Sequence, residues 1–479
     1  MGNADRKNQL AKNTMILTLG KICTQCVSFF LLPLYTALLN PEDYGIVDLF
    51  STYATLLLPL CNWQLDMGLF RFMLDARDDI NEQKKMVSTI TNFNHLQVIA
   101  FGTVFAILQL FLTSPYKIFL AVEVVLNIYN ATFMQVARGR GRNDVYSIAS
   151  FLSASLSVAF NVLFVAICRM GALGMFYGLI AAKIITDVYL FFALRYWNIY
   201  EIRVFDKNQF KSISHYSFPL IPNQLAWWVV GASDRIIVSN ILGVAWNGVY
   251  SVANKFSSMY ITFYNIFNLA WTESCAVHIE DKDADKYLSE VVSTMFSLFS
   301  AICIGIAACM PFAFPLLIHE NYQEAYPQIP ILLAAVLCQS VIGLVSVVYT
   351  AKKLSAVLAK TSFWIAAINL GTNLALIHFI GLYAASVSTL IAYGIMMVYR
   401  CIDVQKYVKI AIPASKWIKA GSAAAIVGIA YYLPWRGLQA FALVLAVLYS
   451  IVENWELLLS TLKTLKGRIS GLCKRRGRK

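Results

Sequence analysis

Residues 212–243, SISHYSFPLIPNQLAWWVVGASDRIIVSNILG, and residues 248–278, GVYSVANKFSSMYITFYNIFNLAWTESCAVH, are long apolar runs that carry charges where a membrane helix ordinarily carries none. Each exceeds the ~20 residues that cross a bilayer core at 1.5 Å apiece. The first contains Pro219, Pro222, Asn223, Gln224, Asp234 and Arg235, and the second contains Asn254 and Lys255. An ionised group at mid-membrane costs about 3 kcal/mol or more, so it ordinarily faces a partner or a watery cavity. Prolines in a spanning helix free backbone carbonyls, which other helices or water must then satisfy. The pair therefore reads as two helices lining a polar cavity through which something charged passes.

The rest of the chain is of the same kind. Hydrophobic residues make up 59% and charged residues 14%, with a mean hydropathy of +0.62. A soluble domain carries about 25% charged residues, so this is an integral membrane protein with no room for a folded soluble domain. The net charge of +13 is dispersed through short loops, which excludes nucleic acid as a partner and fits membrane topology. Most of the ten cysteines sit inside apolar segments, where they behave as small hydrophobes. No G-x-x-x-x-G-K-[ST] phosphate loop is present, so the chain does not hydrolyse ATP itself.

Hydropathy predicts an all-α membrane protein of about fourteen spans. They cover 14–38, 44–70, 87–112, 115–137, 145–168, 171–194, 213–242, 246–272, 288–316, 328–350, 361–380, 382–402, 416–433 and 437–459. One alternating set of loops comprises the N-terminus, 71–85, 138–144, 195–211, 273–288, 352–360, 400–419 and the basic tail. It holds about 32 of the 39 Lys and Arg, against about three (Lys117, Arg169, Arg436) in the opposite set, so it faces the cytoplasm with both termini. The outward loops are very short. A membrane polymerase or ligase acting outside needs a larger one to hold its catalytic groups, and an enzyme is not expected.

An internal repeat aligns LNPEDYGIVDLF (39–50) with LGVAWNGVYSVA (242–253), matching Gly45 to Gly248, and GALGMFYGLIAA (171–182) with GLYAASVSTLIA (381–392). Six spans separate each pair. The expected organisation is a six-helix lobe at 1–200, a cytoplasmic linker at 201–212, a second six-helix lobe at 213–410, and two extra helices with the tail at 411–479. Parallel repeats of this kind suit alternating access, with a site between the halves.

Several charges fall inside spans. Lys183 and Asp187 are four apart on one helix and can neutralise each other. Asp66 lies near the inner end of its span. Lys21, with Thr24, Gln25 and Ser28 on its face, and Lys255, with Ser251, Ser258, Thr262 and neighbouring Asn254, form polar stripes without an in-helix carboxylate. Two such cations suit a diphosphate, because ammonium-to-phosphate contacts are charge-assisted and tolerant of geometry. The substrate-binding candidates are thus Lys21, Gln25, Asn223, Arg235, Asn254 and Lys255. Asp48, Glu123 and Asp187 are candidates for coupling transport to an ion, and the choice among proton, sodium and membrane potential is open. No catalytic residue, metal or cofactor is expected.

LNPEDYGIVDLF, the FPLIPN…SDRIIVSNILG run and GVYSVANKF…FNLAW together resemble the oligosaccharide flippase family. These are the Wzx-type transporters of O-antigen and capsule repeat units, in the MOP superfamily with MATE exporters and the lipid II flippase. The resemblance implies a V-shaped pair of six-helix lobes plus two C-terminal helices in a bacterial cytoplasmic membrane. It implies movement of an undecaprenyl-pyrophosphate-linked oligosaccharide to the outer leaflet, with membrane lipids, a polysaccharide polymerase and chain-length machinery as partners. The lipid II flippase is similar in placing basic residues on spans one and eight, where Lys21 and Lys255 lie. A MATE-like multidrug antiporter is the alternative on the same fold, but organic cations call for an acidic chamber. On a cysteine-free background, a membrane-impermeant thiol reagent applied outside should modify Gln323→Cys and spare Lys282→Cys; the opposite pattern inverts the topology.

Overall fold

The computed structural model describes residues 31–77, 79–111, 113–352 and 354–459. Among them are sixteen α-helices and no strand. The first eight are α1 (Leu32–Leu38), α2 (Pro41–Asn62), α3 (Leu65–Asp75), α4 (Ile80–Leu108), α5 (Lys117–Gly139), α6 (Asn143–Asn161), α7 (Gly171–Ala193) and α8 (Lys207–Ser217). The others are α9 (Leu220–Ile241), α10 (Val244–His278), α11 (Ala284–Leu317), α12 (Ile329–Ala351), α13 (Ser355–Ile380), α14 (Tyr383–Asp403), α15 (Ala414–Tyr432) and α16 (Arg436–Glu453).

Ten helical segments of the described chain are long and apolar enough to cross a membrane. The more polar α9, α10 and α15 also reach about 29 Å or more at 1.5 Å per residue. With the expected first span, of which only α1 falls among the described residues, these make up the fourteen that hydropathy predicts. The protein is a multi-pass, all-α membrane protein.

Two expected spans differ in detail. The 44–70 span is two helices, broken where Trp63 and Gln64 both take left-handed backbone (φ 54° and 55°). Neither is glycine, so the break is strained and needs tertiary support. Trp63 supplies it by packing 5.1 Å from the ring of Phe93 and 5.1 Å from that of Phe218. The 213–242 span starts anew at Leu220, after the short α8. Pro219 is the N-cap of α9 and Pro222 lies in its first turn, where a missing N–H costs little. The prolines thus set where the helix begins instead of interrupting it.

The chain divides into two compact units. One comprises Met1–Lys255, Ile318–Gln323 and Ser362–Ala385. Its core joins Leu65, Leu69 and Met73 of α3 to Val87, Ile90, Val136 and Leu190 from α4, α5 and α7. Residues 201–206 of the expected linker stay largely exposed and are also bound along α4. Ser88 and Thr89 accept from the backbone N–H groups of Glu201 and Asp206, and Lys84 pairs with Glu201 at 2.8 Å. Asn92 donates to three carbonyls, of Glu201, Ile202 and Val204. His95 bonds Tyr129 at 2.7 Å and Tyr200 at 3.1 Å.

The other unit comprises Phe256–Leu317, Glu324–Thr361 and Ser386–Lys479. Phe296, Ile304, Val341, Val427 and small alanines (Ala423, Ala446) form its core, the small residues letting membrane helices approach closely. Its buried Arg400 donates to Ser346 and Thr361 and stands over the Tyr349 ring. Tyr349 in turn donates to Asp403 at 2.8 Å, and Asp403 receives Lys406 at 2.7 Å.

Within the first unit, α2 opens on the LNPED motif. The Asn40 side chain accepts the N–H of Asp43 at 2.7 Å, Pro41 follows, and Glu42 and Asp43 put negative charge on the first turn. One turn later α2 touches α10 backbone to backbone. A Cβ on Gly45 would collide with the Val244 carbonyl and come 2.7 Å from Gly248 N. A Cβ on Gly248 would collide with the Pro41 carbonyl and come 3.0 Å from Gly45 N. The repeat matched these two glycines, and in the fold they face each other. Gly45→Ala should therefore lower thermal stability by about 1–3 kcal/mol, because only backbone can yield. Gly102→Ala, on α4 with nothing within 4 Å, should stabilise slightly; thermal shift in detergent measures both.

Candidate functional site

One helical turn inward from the glycine contact, α2 presents Asp48, ~10 Å from the helix start at 1.5 Å per residue. Asp48 Oδ2 accepts from Ser251 Oγ at 2.5 Å and stands 3.5 Å from Asn247 Nδ2, both on α10. Asn247, fully buried, is held in place by donating to the Gly45 carbonyl at 2.9 Å. From α9, Arg235 Nε lies 3.3 Å from the same Asp48 oxygen, an ion pair by distance that is not aligned as a hydrogen bond. Its Nη1 reaches Thr52 Oγ1 of α2 at 3.4 Å. For a guanidinium with five donors this is sparse satisfaction. The register that matches Gly45 with Gly248 also matches Asp48 with Ser251, and this second pair meets too.

Lys255 lies one turn beyond Ser251 on α10, about 16 Å from the helix start. The charges that act on it are those of Asp48 and Arg235, yet among the described residues it makes neither an ion pair nor a hydrogen bond. Its neighbour Asn254 donates to the Tyr250 carbonyl at 3.4 Å. Asn223, in the first turn of α9, is exposed. Lys21 and Gln25 lie outside the described residues. Trp228 of α9 donates its indole N–H towards the Thr52 carbonyl (3.3 Å) and Thr55 Oγ1 (3.2 Å) of α2, so it is a strut between helices.

Asp234, adjacent to Arg235, points elsewhere. It accepts from Tyr250 OH at 3.1 Å and from Asn373 Nδ2 of α13 at 2.7 Å. That is the outcome expected of neighbours about 100° apart around a helix.

The other candidates sit between α5 and α7. Lys183 pairs with Glu123 across the two helices at 3.7 Å, not with Asp187 on its own helix. Asp187 Oδ1 instead accepts from Asn130 Nδ2 at 2.6 Å. Asp187 Oδ2 is buried with no hydrogen-bond partner. Asp66 is buried and accepts from Asn62 at 2.8 Å across the α2–α3 break. Sequence reasoning missed Asn247, Ser251 and Thr52 as partners of the charges. The repeat register held the signal for Ser251, because it matches this residue to Asp48.

Solved structures with this fold include the lipid II flippase MurJ in an inward closed conformation, at TM-score 0.67 and 12% identity over 94% of this chain and 100% of that one. An inward-facing multidrug resistance MATE transporter of the MOP superfamily aligns at TM-score 0.61 and 12% identity, covering 80% and 95% of the two chains. A variant of a Vibrio cholerae MATE transporter aligns at TM-score 0.56 and 12% identity, covering 83% and 96%. No curated protein sequence matches the chain. A family model described as polysaccharide biosynthesis protein matches residues 10–272, more than half of its length. The chain therefore belongs to the polysaccharide biosynthesis protein family and has the fold of MOP-superfamily transporters.

Proposed function

We propose that the protein flips undecaprenyl-diphosphate-linked oligosaccharide repeat units across a bacterial cytoplasmic membrane by alternating access, both termini lying in the cytoplasm. The observation that carries this reading is the charge balance on one face of α9 and α10. Arg235 pairs with Asp48 at 3.3 Å, and Lys255 has neither an ion pair nor a hydrogen bond among the described residues. An unpaired cation, a local surplus of positive charge, is costly inside a membrane unless an anion visits it. A diphosphate suits it, since Arg offers a planar fork of donors and Lys a movable point charge. Lys21 and Gln25 on the first span extend the same surface in this reading, with Asn223 and Asn254 meeting sugar. A drug antiporter for organic cations is disfavoured because the surplus has the wrong sign. Flipped units would pass to a polymerase and chain-length machinery on the outer side.

The coupling ion belongs to Glu123 and Asp187 in this scheme, with Asp48 the third candidate. Asp187 Oδ2 lacks a donor in a buried setting, an arrangement costing about 1–3 kcal/mol that a proton or sodium ion would relieve.

Two outcomes follow. In a flippase-deficient strain, Lys255→Ala should abolish surface polysaccharide at normal levels of inserted protein, Lys255→Arg should keep much of it, and Lys255→Glu should do worst. Polymer restored to the unsubstituted level by Lys255→Ala would remove the diphosphate cradle from this site. In vesicles, Asp187→Asn should abolish the pH or sodium dependence of transport, and Glu123→Gln should weaken it by freeing Lys183 to neutralise Asp187; full ion dependence in both variants would exclude this pair.

A further inference from the structure

The charged part of the contact between α2 and the α9–α10 pair rests on one carboxylate, beside neutral bonds from Trp228 and Asn247. Asp48 receives Ser251, Asn247 and Arg235 on a single oxygen, each from the opposing helices. The glycine contact beside it supplies fit but no charge. We propose that Asp48 is an internal counter-anion that the substrate diphosphate replaces, so that binding at Arg235 and Lys255 unlatches α2 from α9 and α10. This rests on the flippase reading and adds to it a specific coupling between cargo and conformation.

The geometry favours exchange over a permanent bridge. The Arg235–Asp48 approach is unaligned, the Thr52 contact is long, and the guanidinium keeps donors to spare. A phosphate oxygen can take those donors bidentately, which one poorly aligned carboxylate oxygen does not. Once Arg235 turns to the diphosphate, Asp48 is left with neutral hydrogen bonds from Ser251 and Asn247. A carboxylate without its counter-ion in an apolar setting is destabilised, so separation of α2, with water entering to Asp48, becomes the lower-energy arrangement. A neutral cargo has no such lever, because a ligand shifts an equilibrium only by its differential affinity for the two states. The latch therefore selects for cargo that carries phosphate.

The test places spin labels at Glu42→Cys and Trp246→Cys, in the first turns of α2 and α10 on either side of the glycine contact, on a cysteine-free background in nanodiscs. Undecaprenyl diphosphate should raise the population of the longer distance at least about fivefold, the low end of an ordinary ligand–conformation coupling. Undecaprenol, which lacks the diphosphate, should leave it unchanged. Asp48→Asn should show the longer distance without lipid, and Ser251→Ala, which keeps every charge, should fall between. If undecaprenyl diphosphate stays bound to the detergent-purified protein, read by native mass spectrometry, and the distances stay put, the exchange is overturned while the flippase reading stands. If it does not bind at all, the flippase reading falls and the exchange with it. An Asp48→Asn distance distribution identical to that of the unsubstituted chain also overturns the proposal.

Discussion

Two helices that carry opposite charges in a membrane must come close enough to neutralise them, and here the lack of two side chains allows it. Gly45 and Gly248 let α2 and α10 meet backbone to backbone, and that approach brings Asp48 within reach of Ser251, Asn247 and Arg235. A methyl group on either glycine would push these partners apart by the very distance over which a buried ion pair loses its worth. The Asn40 cap and the acidic first turn hold the start of α2 in register for this contact. Lys255 one turn deeper feels a charge environment set by the same crossing.

Much of this architecture was legible before any coordinates. Apolar runs of membrane length, punctuated by basic loops, give the helices because a bilayer leaves the backbone no other way to satisfy itself. The charged pair of spans was visible because ionised groups are so rare in such runs, and the repeat singled out the two glycines that touch. What stayed hidden depends on side-chain partners far apart in sequence. Lys183 has Asp187 at the favourable helical spacing, yet Asn130 occupies that carboxylate and Glu123 takes the lysine. The break at Trp63–Gln64 has no glycine to announce it, because its strain is held by rings from α4 and from the end of α8. Residues 201–206 read as solvated linker alone, since polar side chains on α4 that anchor a strand of backbone resemble those that face water.

The two units treat buried charge differently. In the second, Arg400, Tyr349, Asp403 and Lys406 form a chain in which every charged group has a close partner, which suits a structural joint. In the first, Lys255 has none among the described residues and Arg235 has loose ones. Incomplete satisfaction is costly to a fold and useful to a site that must accept and release an anion, and it separates the two clusters more clearly than composition does.

Asp48 and Ser251 occupy matching positions of the repeat and bond to each other. Identical residues at these two positions could not make the contact: aspartate against aspartate would repel, and serine against serine would carry no charge. The bond exists only because the matching positions differ, so copying either residue onto the other position removes the anion or its donor.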